Sequence, residues 1–347
     1  MPSVTIDAGV LAIPPEHGSI DELRHYVKTL LDCSELLNTP WVAIYMSERA
    51  SEALWYDDLY PEWHKLNHLF TATGIEEYDA TTVLPIVQRI LQRTPSFENH
   101  FRIKEVVYGK MTTQPDVLTL CSGPHLKDDL ARCLLLIAIL RSHFPQSAVD
   151  HSLILRHASH MTIQIRALIH ILEHNRDDLI TLPSPPDYFN GDVQVCDDFR
   201  GLILSLNEVN ILLNATDAGG VKIAIHVAFF KARVDQGDTL DWDDIPIFSI
   251  GNVFFESFSS RRPTPDLSRK LLRAIVETLE QSNLHQTHPL RNNEGGASPP
   301  RVRRTDQAKA WRRDIDRDHH LHYWITDENI VELASLSFPH NDFTIPE

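Results

Sequence analysis

The chain has 347 residues, of which 42% are hydrophobic and 23% charged, and it carries a formal net charge of −16. This composition predicts a globular protein long enough for two domains with sizeable cores, and no apolar run approaches the ~20 residues of a membrane span. The charge is uneven: Arg261 to Arg317 holds 13 Lys/Arg against 7 Asp/Glu, a balance of +6 that leaves −22 on the remainder. Four cysteines (Cys33, Cys121, Cys133 and Cys196) show no C-x-x-C spacing, which predicts buried thiols in a reducing cytoplasm. The N-terminus shows neither a basic lead-in nor an apolar signal core. A P-loop, a dinucleotide fingerprint and a G-x-S-x-G elbow are all missing, so nucleotide-driven and acyl-transfer classes fall away.

In chain order, Ser3 to Ile13 predicts a short strand terminated by Pro14 and Pro15. Ser19 caps a helix running to Leu37, with Glu22 at the capping-box position and Leu23, Val27, Leu30 and Leu31 as its apolar stripe. Asn38, Thr39 and Pro40 break it. Trp41 to Met46 predicts a second strand, after which Ser47 caps a helix carrying Glu48, Glu52 and Leu54. This strand–helix–strand–helix start, with its segments TIDAGVL and YMSERASEAL, resembles PIN-domain nucleases. The resemblance implies a parallel sheet with Asp7 at the C-terminal end of its first strand. It also implies that Glu52, one helical turn beyond Ser47 or Glu48, leans back toward the same edge.

Leu59 to Leu182 departs from that family, whose domains are much shorter. It predicts helices at Thr82 to Arg93, Leu126 to Ser142 and Ser152 to Asn175, closed by the prolines of 183–186, so that about 59–190 forms a large helical insertion. Within it, His170 to His174 reads HILEH and formally matches the H-x-x-E-H zinc-peptidase pattern. The segment DVQVCDDFRGLILSLNEV mixes strand and helix signals. Thr216 or Asp217 then caps a helix whose Ile223, Val227 and Phe230 face a core; Pro246 to Ile250 predicts a strand, and Val253 to Phe258 a short helix. This order resembles the closing half of a PIN domain, whose later acids would fall on Asp217 and, with an amide in place of a carboxylate, on Asn252. The stretch SSRRPTP reads as a boundary, giving a PIN-like domain over 1–258, a linker at 259–266 and a C-terminal module over 267–347.

In that module, Leu267 to Leu284 has helical periodicity, and Arg312 to Leu336 predicts a β-hairpin with Leu321, Tyr323 and Ile325 on one face and His320, His322 and Trp324 on the other. Helix, basic lead-in, Trp311-Arg312-Arg313, Ile315, His319, Leu321, Tyr323 and a late His340 resemble the RelE/YoeB-type toxins, small bacterial ribonucleases that work without a metal. The resemblance covers about the last quarter of the chain. It implies that Arg312 or Arg313 stabilises phosphate charge and that His340 handles a proton, which metal-free phosphodiester cleavage needs.

The expected fold class is therefore α/β, a PIN-like parallel sheet with a large helical insertion plus a small α+β module. The two resemblances imply a metal-dependent nuclease of a bacterial toxin or phage-defence system, cytoplasmic, with Asp7, Glu52 and Asp217 converging on Mg2+ or Mn2+. Converging carboxylates repel one another unless a hard cation neutralises them. Nucleic acid would be met through the basic segment Arg261–Arg317, with a protein partner of the same system also implied and no membrane. The alternative is a non-catalytic scaffold or interaction subunit of a bacterial defence complex, in which Trp311, Tyr323 and Trp324 beside arginines form a docking surface.

Overall fold

The computed structural model describes residues 2–143, 151–158, 160–175, 185–260, 263–292, 298–337 and 344–347. These divide into an N-terminal unit, Met1–Leu206, and a C-terminal unit, Asn207–Glu347. Both are mixtures of helix and sheet.

The N-terminal unit is built on a six-stranded sheet in the order β2-β1-β4-β6-β5-β3. Its strands are β1 (Ser3–Ile6), β2 (Ala43–Met46), β3 (Ile103–Gln114), β4 (His151–Ile154), β5 (Met161–His174) and β6 (Asp187–Cys196). β2, β1, β4 and β6 run parallel, while β5 and β3 are antiparallel to their neighbours. The register levels the parallel strands: Ile6 pairs with both Met46 and Ile154, and Ile154 with Cys196. Asp7, Ser47, Leu155 and Asp197 therefore stand side by side along one rim, the C-terminal edge at which α/β sheets place their sites.

His151 fixes this register from inside. Fully buried, it lies between Ser3 and Thr5 of the neighbouring strand, with Ser3 Oγ 2.8 Å from Nδ1 and Thr5 Oγ1 2.8 Å from Nε2. Burial, then the positive charge of Arg141, depresses its pKa to about 3, so the ring is neutral and uses one nitrogen as donor and the other as acceptor.

The first predicted strand is shorter than its apolar pattern suggests. It ends at Ile6, because Asp7 accepts a hydrogen bond from Gly9 N (2.9 Å) and caps a short helix, α1 (Ala8–Leu11). The Ser19-capped helix forms as α2 (Ile20–Leu36), with Ser19 Oγ accepting from Glu22 N. Helices α3 (Ala50–Tyr56), α4 (Trp63–Thr73), α5 (Ala80–Arg93) and α6 (Phe97–Phe101) follow, then α7 (Pro124–His143). α7 is apolar on every face between Cys133 and Leu140, and all eight residues are buried, as expected of a helix enclosed on all sides.

Two expectations need correction here. Ser152 to Asn175 is not helical but forms β4 and, after a turn, β5. The stretch TIQIRALIHI alternates Ile163, Ile165, Ala167, Ile169 and Ile171 at period two, and the first four are buried. The pair in HILEH consequently sits on a strand, where four residues span about 13 Å rather than one helical turn. Second, 59–190 is not wholly helical, since it also contributes β3, β5 and the start of β6.

The helix α8 (Phe199–Ser205) closes the first unit, and α9 (Glu208–Leu213) and α10 (Ala218–Asp235) open the second. α11 (Phe254–Ser259) and α12 (Pro265–Leu279) complete its helices. α9 and α10 pack on α12, which is why they belong with the C-terminal residues and the division falls at Leu206/Asn207 rather than at 259–266. Its sheet runs β7-β11-β10-β9-β8: β7 (Phe248–Ile250), β8 (Thr287–Pro289), β9 (Lys309–Asp314), β10 (His320–Ile325) and β11 (Val331–Ser337). β10 and β11 are the predicted hairpin, but Arg312 and Arg313 lie on β9, a separate strand antiparallel to β10. Both faces of β10 are covered, including Trp324, whose Nε1 donates to the carbonyl of Pro346.

Candidate functional site

Asp7 leaves β1 at the levelled rim and turns into α1. One carboxylate oxygen accepts from Gly9 N, and the other, Oδ1, is buried with no hydrogen-bond partner. The approach demands glycine next to it: a Cβ on Gly9 would lie 2.6 Å from Asp7 Oδ2. The carboxylate whose charge acts on Asp7 comes from α7. Asp129 is buried like Asp7 (2% and 1% exposed), and its Oδ2 also lacks a partner. Its other oxygen lies 2.5 Å from Ser47 Oγ, at the end of β2. Ser47 was expected to cap a helix; its hydroxyl accepts from Arg49 N (3.1 Å) in the turn before α3 and also faces the carboxylates of Asp129 and Glu98, while Arg49, at the start of α3, makes no side-chain cap.

Around the pair is a buried charged frame. Arg132, on the next turn of α7, donates to Glu98 Oε1, and its Nη2 lies 3.6 Å from Glu48 Oε1. Glu98 also accepts from Glu48 N (2.9 Å) and Ser96 Oγ (3.1 Å). The start of α7 is anchored by Asp57, which accepts from His125 N, His125 Nδ1 and Leu126 N. Burial would raise Asp57, but those donors, Leu126 N first, hold it below the usual carboxylate range.

The electrostatics single out the pair. Burial first, and then the charge of Asp129, pushes the Asp7 carboxyl up to about 8; the amides of Gly9 and Ala8 offset part of this. Asp129 rises to about 6, again chiefly by burial, with Ser47 and Arg132 restraining it and Glu98 adding to it. Both shifts favour the protonated form, more strongly for Asp7 than for Asp129. Cys121 lines a cavity together with Asp7, but burial and Asp7 push its thiol up to about 12, which removes it as a nucleophile.

The pair offers a cation two unclaimed carboxylate oxygens. Among the described residues no three His, Cys, Asp or Glu side chains form a ready-made cage. A hydrated hard ion needs no such cage, because Mg2+ is commonly held by one or two carboxylates, with water and substrate phosphate completing its shell. The residues present fit that kind of ion and do not fit a closed zinc site.

Of the sequence-predicted residues, Asp7 is at this site. Glu52 is exposed in the first turn of α3. Asp217 lies in the C-terminal unit, where Oδ1 accepts from Gly220 N (2.9 Å) and caps α10. Arg312 Nε lies 3.3 Å from Asp314 Oδ1. Arg313 is 1% exposed, pairs with Glu277 Oε2 (2.9 Å) and donates to the carbonyl of Ser282 (2.6 Å), closing the end of α12. His340 lies outside the described residues. Much of the basic segment's charge is balanced locally, since Arg303 is held by Asp306 and Glu332, and Lys270 by Asp266. Sequence reasoning missed Asp129, Glu98 and Arg132. The available signal was an acid and a base, three residues apart, entering a helix apolar on every face, where each charge requires a partner. No family model, curated protein or solved structure matches the chain.

Proposed function

We propose that the N-terminal unit is a divalent-cation-dependent nuclease with a PIN-like active site, of the toxin or defence kind that the sequence resemblances imply. What carries this reading is the pair of buried carboxylate oxygens, Asp7 Oδ1 and Asp129 Oδ2, without partners at the C-terminal edge of parallel strands. Buried carboxylate oxygens in native proteins normally meet a partner, and a hard cation suits them. Asp7 and Asp129 would hold the cation, and Asp129 is aimed by Ser47, whose hydroxyl also lies beside Glu98, the acceptor of Arg132. A bound Mg2+ or Mn2+ supplies the positive charge that acidifies water and stabilises charge building on a phosphoryl group. Glu98 and Arg132 are positioning residues: Arg132 Nη1 donates to Glu98, which also accepts from Glu48 N and Ser96 Oγ.

Arg132 also favours a second reading, a non-catalytic scaffold, because an internal guanidinium already neutralises part of the acidic cluster. Cleavage assays on single- and double-stranded RNA and DNA, in Mg2+ or Mn2+ against EDTA, decide between them. The nuclease reading expects cation-dependent cleavage that falls roughly a hundredfold or more in Asp7→Asn and Asp129→Asn. Absence of cleavage on all four substrates in both metals overturns it.

A further inference from the structure

The cavity that exposes the edge of Asp7 has a second charged wall. It measures about 130 Å³ and is lined by Asp7, Glu22, Cys121, Ser122, Arg156 and His157, among others. Arg156 and His157 follow β4 as Asp7 follows β1, and these strands are adjacent, parallel and level at Ile6 and Ile154. Between β1 and β4 the strand order also reverses, since the chain leaves β1 for β2 on one side and later returns to β4 on the other. Crevices at such reversals are where open α/β sheets bind ligands.

Arg156 is placed as a cation without an anion. Its Nη1 donates to the carbonyl of Ala12 (3.0 Å), and its guanidinium lies 5.1 Å from the centroid of Tyr26. Nε and Nη2 are buried with no hydrogen-bond partner, and no carboxylate pairs with it among the described residues. Burial lowers its pKa, with only a partial return from Tyr26 and Glu22, as for a charge whose counter-ion is missing. A buried guanidinium left in this state is costly unless something anionic meets it.

We infer that Arg156 is the anion subsite of this centre and receives the terminal phosphate of a nucleic-acid strand, beside Asp7. The inference rests on the nuclease reading for the strand, but not for the phosphate. Two guanidinium N–H groups match two phosphate oxygens, and Ser122 and His157 stand at the same wall. Size selects a terminal group: a cavity with room for about four waters at ~30 Å³ each is well below the ~300–1,000 Å³ that encloses a nucleotide-sized ligand.

The test is a titration of the full-length chain with inorganic phosphate, metal-free, for wild type, Arg156→Lys and Arg156→Met. Wild type should bind saturably. Met, which keeps an apolar stem over Tyr26, should bind roughly ten- to hundredfold more weakly, with Lys in between. Thermal melting separates this from a structural role: removal of an unpaired buried charge leaves Tm unchanged or higher. A lower Tm with unchanged phosphate affinity would assign Arg156 to packing and overturn the inference. Competition between 5′-phosphorylated and 5′-hydroxyl oligonucleotides of one sequence is the second arm. Preference for the phosphorylated strand, lost in Arg156→Met, supports the terminal assignment, and equal competition overturns it. If the chain binds phosphate through Arg156 yet cleaves no substrate, the subsite stands and the nuclease reading falls. If it cleaves and Arg156→Met leaves KM and phosphate binding unchanged, the subsite alone falls.

Discussion

Replacing Asp7 by Asn gives the sharpest test of the site's electrostatics. In the folded protein this carboxyl is pushed up to about 8 from an ordinary 3.8, so it keeps its proton over a range in which the unfolded chain has released it. Stability is then fully present below pH 3.8 and is lost as pH rises toward 8, at about 1.4 kcal/mol per pH unit. At pH 7 the accumulated loss is on the order of 4 kcal/mol. Asn removes this titration while its side-chain oxygen still accepts from Gly9 N. Metal-free melts of the full chain from pH 5 to pH 8 should therefore fall more steeply for wild type, by roughly 3–5 °C per pH unit for a unit of this size. Added Mg2+ should recover wild type, by about 2.7 kcal/mol at a hundredfold excess over Kd, and should do much less for Asp7→Asn. Parallel melting curves for the two proteins across this range would refute the reasoning.

Four further outcomes follow from the structure. Arg132→Met leaves Glu98 buried without its guanidinium and should cost about 3–5 kcal/mol in chemical denaturation, with much of the loss recovered in the Arg132→Met/Glu98→Gln pair. Arg313→Ala should destabilise the C-terminal unit by a similar amount, about 3–5 kcal/mol, by stranding Glu277 and the end of α12; a changed salt slope of nucleic-acid binding at unchanged stability would contradict this. Asp217→Ala should cost about 1 kcal/mol as a lost N-cap, read by circular-dichroism melting, and Glu52→Ala should lower cleavage far less than Asp129→Asn does.

Asp7 was legible through the resemblance carried by TIDAGVL, although the strand was read through to Ile13 and the helix start at Ala8 was missed. The Ser19 cap, the helix expected over Thr82–Arg93 and the cap at Thr216 or Asp217, which falls on Asp217, were legible because helix periodicity and capping hydrogen bonds both join near neighbours. The acid partner was not. Asp129 is 122 positions from Asp7 in sequence and meets it only because α7 is enclosed by the sheet, which no local pattern reports. β5 was misread because Ile163, Ala167 and His170 also satisfy helical spacing, and only pairing with β6 on one side and β3 on the other decides for the strand. Ser47 was read as a cap because a hydroxyl before a helix usually is one; here two buried carboxylates compete for it.

His151 touches neither Asp7 nor Arg156, yet it sets the distance between them. A slip of β4 against β1 by one residue would carry Arg156 about 3.3 Å along the rim and turn alternate side chains to the opposite face. The hydroxyls of Ser3 and Thr5 grip both nitrogens of one imidazole, and no slipped pairing supplies a second such grip. The imidazole thus works as a gauge block, a part of fixed length that calibrates a gap elsewhere. A change at this remote ring would detune the acid and the base together while leaving every residue of the site in place.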